Sequence, residues 1–319
     1  MENDASSRYR LLRPYFLNYF LTMLPQEQLD EFSQTRSFLA NASDLETVSC
    51  PLCAADSMSI IHIRKPFKVV SCSGCGLSYL SPRLKEPIMK RIYEGHGYFS
   101  EGDLTGYKDY ISQEKSLRVT FRRFLSELQR HELTTGRLLE IGSGYGYFLA
   151  EARDFFQHIS GVELSAKAAA CAEKLSGINV HAGDLNSLPP EWRNFDVIIA
   201  INVIEHIYAP AEFLIAVKQR LKSGGRIVIA TPDFGSFWYK ILGDKWPSFK
   251  IPEHVAFYNQ QTLWRLLEKA GFRSVRRIPF RHAFPLGLVA GKFGMNIHGK
   301  LAQMPIWIPK TMIAMSAQR

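Results

Sequence analysis

"RLLEIGSGYGYF", residues 137–148, decides how the rest of the chain is read. Residues 138–141 form an apolar run broken by glycines at 142, 144 and 146, and "GYFLAEARDFF" after it has a helical pattern. Glycine permits a tight turn and lets a ligand approach the backbone closely, so many nucleotide-binding folds open with such a strand–turn–helix unit. Taken alone the motif is weak, and its force comes from the rhythm that follows. "HISGVELS", "INVHAGD", "FDVIIAINVI" and "RIVIATP" read as strands, separated by the helical stretches "AKAAACAEKL" and "APAEFLIAVKQRLKSGG" and followed by "QTLWRLLEKAGF". Alternation of this kind predicts a parallel sheet covered by helices on both faces. "SVRRIPF" and "KTMIAMSA" are candidates to complete that sheet.

Acidic residues fall at the strand ends. Glu163 closes the second strand twenty-three residues after Glu140, where a carboxylate can take both hydroxyls of a ribose. Asp184, at the end of the third strand, is placed to reach an adenine amino group. A dehydrogenase fingerprint would carry its third glycine at 147, which is tyrosine, and no kinase-type phosphate loop is present.

The glycine loop, the spaced acids and "NVIEHI" after the fourth strand resemble the class I S-adenosylmethionine-dependent methyltransferase family from about residue 113 onward. The resemblance implies an α/β fold, a Rossmann-like doubly wound sheet of seven strands with the last one reversed. It implies S-adenosyl-L-methionine as cofactor, held by Glu140, Gly142, Ser143, Gly144, Gly146, Glu163, Leu164, Asp184, Leu185 and Asn202. Within that set Glu140 matches the acid that meets the charged methionyl part, and Asn202 falls near the sulfonium.

Four of the five cysteines form C-x2-C-x18-C-x2-C: Cys50, Cys53, Cys72 and Cys75. Two short turns delivering four thiolates suit a closed, structural Zn²⁺ site, with Gly74 and Gly76 easing the second turn. A redox pair would instead need a CxxC at the head of a helix. Cys171, in an Ala-rich helix, reads as an inert core residue. The expected organisation is a helical prefix over 1–46, a small N-terminal zinc-binding module with a connecting lid segment over 47–112, and the cofactor domain over 113–319 with an insertion at about 282–309. In the prefix, apolar pairs recur at 11/12, 15/16, 19/20 and 23/24, one stripe along a helix.

Cysteine knuckles ahead of this core, with "PEHVAFYN" after the fifth strand, are similar to bacterial methyltransferases of sugars and other small metabolites. The resemblance implies transfer to O or C of a sugar, nucleotide- or lipid-linked, or of a quinone-like acceptor. An RNA methyltransferase is the rival reading, since some also carry a zinc module, and a non-catalytic binding protein is the third. Against RNA, residues 47–82 are nearly balanced in charge and lack interleaved aromatics and arginines, so nucleic acid is not the favoured partner.

Methyl transfer to oxygen or carbon also requires removal of a proton, for which histidine is suited near neutral pH. His206, past the fourth strand, and His254, past the fifth, both belong to the sheet edge where such folds bind ligands; Glu253 and Tyr258 are candidates to orient them. The chain carries a net charge of +9, and all of the excess lies in residues 269–319, which hold nine Lys or Arg and no carboxylate. Such an end attracts anions, which suggests an anionic or amphiphilic small-molecule acceptor and peripheral membrane contact. With 46% hydrophobic residues, no spanning apolar run and an acidic, polar start, "MENDASS", the expected location is cytoplasmic, membrane-peripheral through that tail.

Overall fold

The computed structural model describes residues 42–94, 111–291 and 294–319. Most of the expected prefix, residues 95–110 of the lid segment and His96 lie outside the described residues. Strands β1 (Leu45–Glu46), β2 (Met58–Arg64), β3 (Phe67–Cys72), β4 (Ser78–Leu80) and β5 (Arg83–Leu84) come first, then helices α1 (Glu86–Glu94) and α2 (Glu114–Arg130). The alternating part runs β6 (Arg137–Ile141), α3 (Tyr147–Ala152), β7 (His158–Glu163), α4 (Ala166–Ser176), β8 (Val180–Ala182), β9 (Phe195–Ile201), α5 (Pro210–Arg220) and β10 (Leu221–Pro232). Then follow α6 (Phe237–Leu242), β11 (Ala256–Phe257), α7 (Gln260–Lys269) and β12 (Arg273–Ile278). Last come β13 (His282–Pro285), α8 (Leu286–Gly291), α9 (Gly299–Ala302), β14 (Pro305–Ile308) and β15 (Met312–Gln318).

Seven strands form one sheet in the order β12-β15-β10-β9-β6-β7-β8. β6 pairs in parallel with β7 and β9, and β15 runs antiparallel to both β10 and β12, the reversed strand expected from "KTMIAMSA". Alternate residues of each strand feed opposite faces. Leu139, Ile198, Ile229 and Met315 pack with Leu214 of α5 and Leu263 of α7 on one side. Leu138, Ile199, Val228 and Ala314 pack with Phe121, Phe124 and Leu128 of α2 on the other.

Local chemistry sets the helix ends. Ser165 caps α4 by accepting from the Ala168 amide, and Gly177 closes it in the left-handed region at φ 68°. Asn259 and Thr262 cap α7 reciprocally. The stretch 209–225, expected to stay helical up to its glycines, leaves the helix at Arg220; residues 221–232 belong to β10, whose register shifts between Leu221 and Arg226. Cys171 is exposed, contrary to the core position expected of it. The buried stripe of α4 is Ala168, Ala169, Ala172 and Ser176, and position 171 falls off that face.

A second sheet, β11-β4-β3-β2, carries the cysteine region. Its fourth strand comes from the other end of the chain: Ala256 pairs with Tyr79 and Phe257 with Ser78. Arg265 and Lys269 of α7 donate to the Cys75 and Leu52 carbonyls at 2.8 and 2.6 Å. Cys50, Cys72, Leu77 and Tyr79 share one core cluster with Ile141 and Ile229 of the large sheet. The insertion at 282–309 forms the β13–β14 ladder and two short helices.

Candidate active site

The chain runs from β6 outward to β7 and β8 and returns at β9, so a crevice opens beyond the carboxyl ends of β6 and β9. A cavity of about 590 Å³ occupies it. Glu140, Gly142, Ser143, Gly144, Glu163, Leu164, Asp184, Leu185 and Asn202 line the cavity together, as do His206 and His254.

Glu163, buried at 8% exposure, accepts from the Gly144 amide at 2.9 Å and the Ser165 amide at 3.0 Å. The Leu164 amide also acts on this carboxyl, and an ionised carboxylate has about four acceptor sites, so capacity remains for a ligand hydroxyl. Glu140 is more deeply buried, at 3%, and neither its Oε2 nor the Ser143 Oγ has a partner within the protein. Burial and the neighbouring Glu163 charge push the Glu140 carboxyl well above its ordinary range. A cationic ligand end beside these two atoms would satisfy both the charge and the orphaned oxygen. The donor set therefore fits the ammonium and ribose of an S-adenosyl nucleoside.

Gly146 and Asp184 differ in their relation to the cavity. Gly146 does not line the cavity: it sits at φ 81° ahead of α3, and a Cβ there would lie 2.8 Å from the Ala172 backbone, so it is fixed by packing against α4. Asp184 lines the cavity but its Oδ1 already accepts from the Asn186 and Ser187 amides, each at 3.0 Å. Asn202 takes a left-handed turn at φ 54° as β9 ends, its amide donating to the Ala230 carbonyl.

At the acceptor side, one ligand atom from each of Glu205, His206 and His254 lies within 4.8 Å of the others. The two imidazoles meet edge to face at 4.8 Å between centroids. His206 Nδ1 lies 3.1 Å from the Glu253 carbonyl and 2.9 Å from the Tyr93 hydroxyl. A carbonyl only accepts, so Nδ1 carries the proton and Nε2 keeps its lone pair. Burial, with the nearby Lys250 charge, lowers His206 to about 4, and burial with His206 and Lys250 holds His254 well below 6.5. Both rings are neutral at pH 7. Burial raises the carboxyls of Glu205 and Glu253 to about 7. Thr231 donates to Glu205 Oε2 at 2.8 Å, while Oε1 has no partner. The Lys250 charge acts on all four of these groups, which suits proton handling better than capture of a metal ion.

Tyr258, expected beside the histidines, is in the core at 1% exposure and does not line the cavity; it packs in the cluster that includes the cysteines. Its place as a strand-end residue after β11 turns the ring inward. Sequence reasoning passed over Glu205, although it lies inside the quoted "NVIEHI", and it did not single out Tyr93, Lys250 or His282, which also line the cavity. His282 stands next to Phe284 with ring centroids 4.1 Å apart, and burial lowers it to about 4. The lining also includes apolar residues, among them Met89 of α1, Leu117 and Phe121 of α2, Leu288 of α8 and Met312 of β15, together with the polar Glu86, Lys90 and Gln113.

Away from the cavity, the four cysteine sulfurs lie within 4.8 Å of one another, with Cys50–Cys75 and Cys53–Cys72 at 3.4 Å, and none is in a disulfide. Paired turns present them: Ala54 donates to the Cys50 carbonyl and Gly76 to the Cys72 carbonyl. Bonds of about 2.3 Å to a tetrahedral zinc require sulfurs at about this separation, so the donor set fits.

A family model described as a methyltransferase domain matches residues 113–276, just over half of the chain. The chain belongs to the class I S-adenosylmethionine-dependent methyltransferases. This methyltransferase is 31% identical over 158 residues to an uncharacterized protein of Methanocaldococcus jannaschii, covering 50% of this chain and 74% of that one. A probable S-adenosylmethionine-dependent methyltransferase of Mycolicibacterium smegmatis is 28% identical over 180 residues, 56% of this chain and 68% of its own. A ubiquinone biosynthesis O-methyltransferase of Cereibacter sphaeroides is 27% identical over 180 residues, 53% and 71% respectively.

Proposed function

We propose that this methyltransferase acts on an oxygen or carbon of a small acceptor, either a nucleotide- or lipid-linked sugar or a quinone-like ring, and that its histidine–carboxylate cluster removes the acceptor's proton. When bound, S-adenosylmethionine supplies an electrophilic methyl group. Glu140 and Ser143 hold its amino-acid end, Glu163 its ribose, Leu164 and Leu185 its adenine, and Asn202 closes the site at the end of β9. His254 takes the proton, with His206 held by the Glu253 carbonyl as its neighbour and alternative. The imidazoles, both lowered by burial, can relay a proton but not keep it, and the two carboxyls that titrate near 7 can take it up at neutral pH.

The observation that carries the reading is that one cavity holds both the orphaned Glu140 carboxyl and the Glu205–His206–His254 cluster. Met89, Leu117, Phe121, Leu288 and Met312 in the cavity lining favour an acceptor with an apolar part, and the similarity to a ubiquinone biosynthesis O-methyltransferase is consistent with a quinone-like ring. Cys50, Cys53, Cys72 and Cys75 hold one structural Zn²⁺.

Methyl transfer from labelled S-adenosylmethionine should be screened on nucleotide-linked sugars, quinols and lipid-linked acceptors. The reading expects turnover on one of these classes that His254→Ala abolishes. Turnover on RNA alone, or on a small acceptor with His206→Ala and His254→Ala both fully active, would overturn it.

A further inference from the structure

Twelve large apolar side chains are exposed among the described residues, and four fall within the thirteen residues of 295–307: Met295, Leu301, Met304 and Trp307. Their exposures of 46–55% leave about half of each side chain open to solvent. The four belong to one packed unit. Met304 donates to the Leu301 carbonyl and accepts from the Leu286 amide, Met295 donates to Ala290, and Trp307 pairs across the ladder with Ala283. Gly287 lies so close to Ala302 that a Cβ on it would come within 2.7 Å, which fixes α8 against α9. Lys300 and Lys310 are exposed along this stretch, and Lys115 reaches in to Gln303 at 2.9 Å. Glu114 beside it is engaged by Arg118 at 2.7 Å. From 269 to 319 the chain contains no carboxylate at all.

We propose that this face docks the enzyme peripherally on an anionic lipid bilayer. An exposed apolar stretch that carries Lys300 and Lys310 and no acid of its own is complementary to a surface that offers hydrocarbon beneath negative headgroups. A second copy of the same face would bring like charges together, and a nucleic acid has no use for Leu301 and Met304. Among the described residues no helix is long and apolar enough to cross a membrane, so the contact is with the surface. His282, Phe284 and Leu288 of the same insertion line the cavity, so docking sets the acceptor wall beside the bilayer. That last link rests on the acceptor reading above, whereas the docking itself does not.

The test is flotation of the full chain with vesicles of phosphatidylcholine alone or mixed with phosphatidylglycerol, with cofactor affinity measured in parallel by calorimetry. Binding is expected only to the mixed vesicles and should fall with added salt. Lys300→Glu and Lys310→Glu should each lower the partition coefficient about fivefold or more. Leu301→Asp with Trp307→Asp should abolish binding while cofactor affinity stays unchanged. Should those substitutions disturb folding, brominated lipid gives a second readout: it should quench tryptophan fluorescence of the unmodified chain and less so of Trp307→Phe. Equal binding to neutral vesicles, no binding to either, or quenching identical in Trp307→Phe would overturn the proposal. Loss of cofactor binding or turnover with flotation intact would count against the acceptor reading and leave the docking standing.

Discussion

Glu140 carries the sharpest consequence of burial. A buried carboxyl with one oxygen unpartnered costs stability until a cation arrives, and the same group then favours the ligand. Glu140→Gln should therefore stabilise the ligand-free chain yet weaken S-adenosylmethionine binding by about 1.5–3 kcal/mol, the size of a hydrogen bond to a charged group. Paired thermal denaturation and calorimetry check both signs, and a variant that loses stability would refute the account. Glu205 makes a pH-dependent case. Its carboxyl keeps its proton to about pH 7 in the folded chain but releases it near 4.5 when unfolded. Over that window the folded state binds more protons, so stability falls as pH rises. Glu205→Gln should consequently gain on the parent chain from about pH 4.5 to about pH 7, by up to about 3 kcal/mol, and then level off. His206, lowered from 6.5 to about 4, works with the opposite sign. Denaturant midpoints across pH 4–8 would expose a flat difference, which would sink this assignment. For catalysis, His254→Ala should reduce turnover by about 10²–10⁴ with little change in cofactor affinity.

Among the elements, how legible each one was depended on its length and on the reach of its contacts. The glycine turn, the strand-end acids and the amphipathic helix at 114–130 could be read directly, because each follows from a periodicity or a turn contained in one short window. So could the cysteine set, from its spacing. β11 could not: two residues make a strand only because Tyr79 and Ser78, far earlier in the chain, offer an edge. That unread pairing explains why Tyr258 is buried and why Glu253 acts through its backbone carbonyl on His206. Glu205 was hidden for a different reason: exposed acids after a strand are common, and only burial against Thr231 distinguishes this one. The α7 contacts to the knuckle carbonyls give a prediction at this scale. Arg265→Ala, which removes the bond to the Cys75 carbonyl, should speed zinc loss to a chelator while leaving cofactor affinity nearly intact, as read with a colorimetric zinc indicator. Cys72→Ser should abolish stoichiometric zinc.

For the whole molecule, the core cluster common to both sheets, and the strand β11 that the later part of the chain lends to the cysteine sheet, favour unfolding as one cooperative unit. Chelation should lower the temperature of a single melting transition rather than split off an early one, a point differential scanning calorimetry decides. Two separate transitions would mean that the cysteine region unfolds by itself. The reversed strand has a consequence of its own. β15 is the final strand of the seven, yet it lies inside the sheet between β10 and β12, with six of its seven residues buried. While the chain is being made on a ribosome, β10 and β12 are both finished and have no partner for each other. Until residues 312–318 join them, the facing edges of β10 and β12 lack their ladder partner. A chain lacking residues 312–318 would therefore present two bare strand edges facing across an empty groove, which is the arrangement that recruits other chains into aggregates.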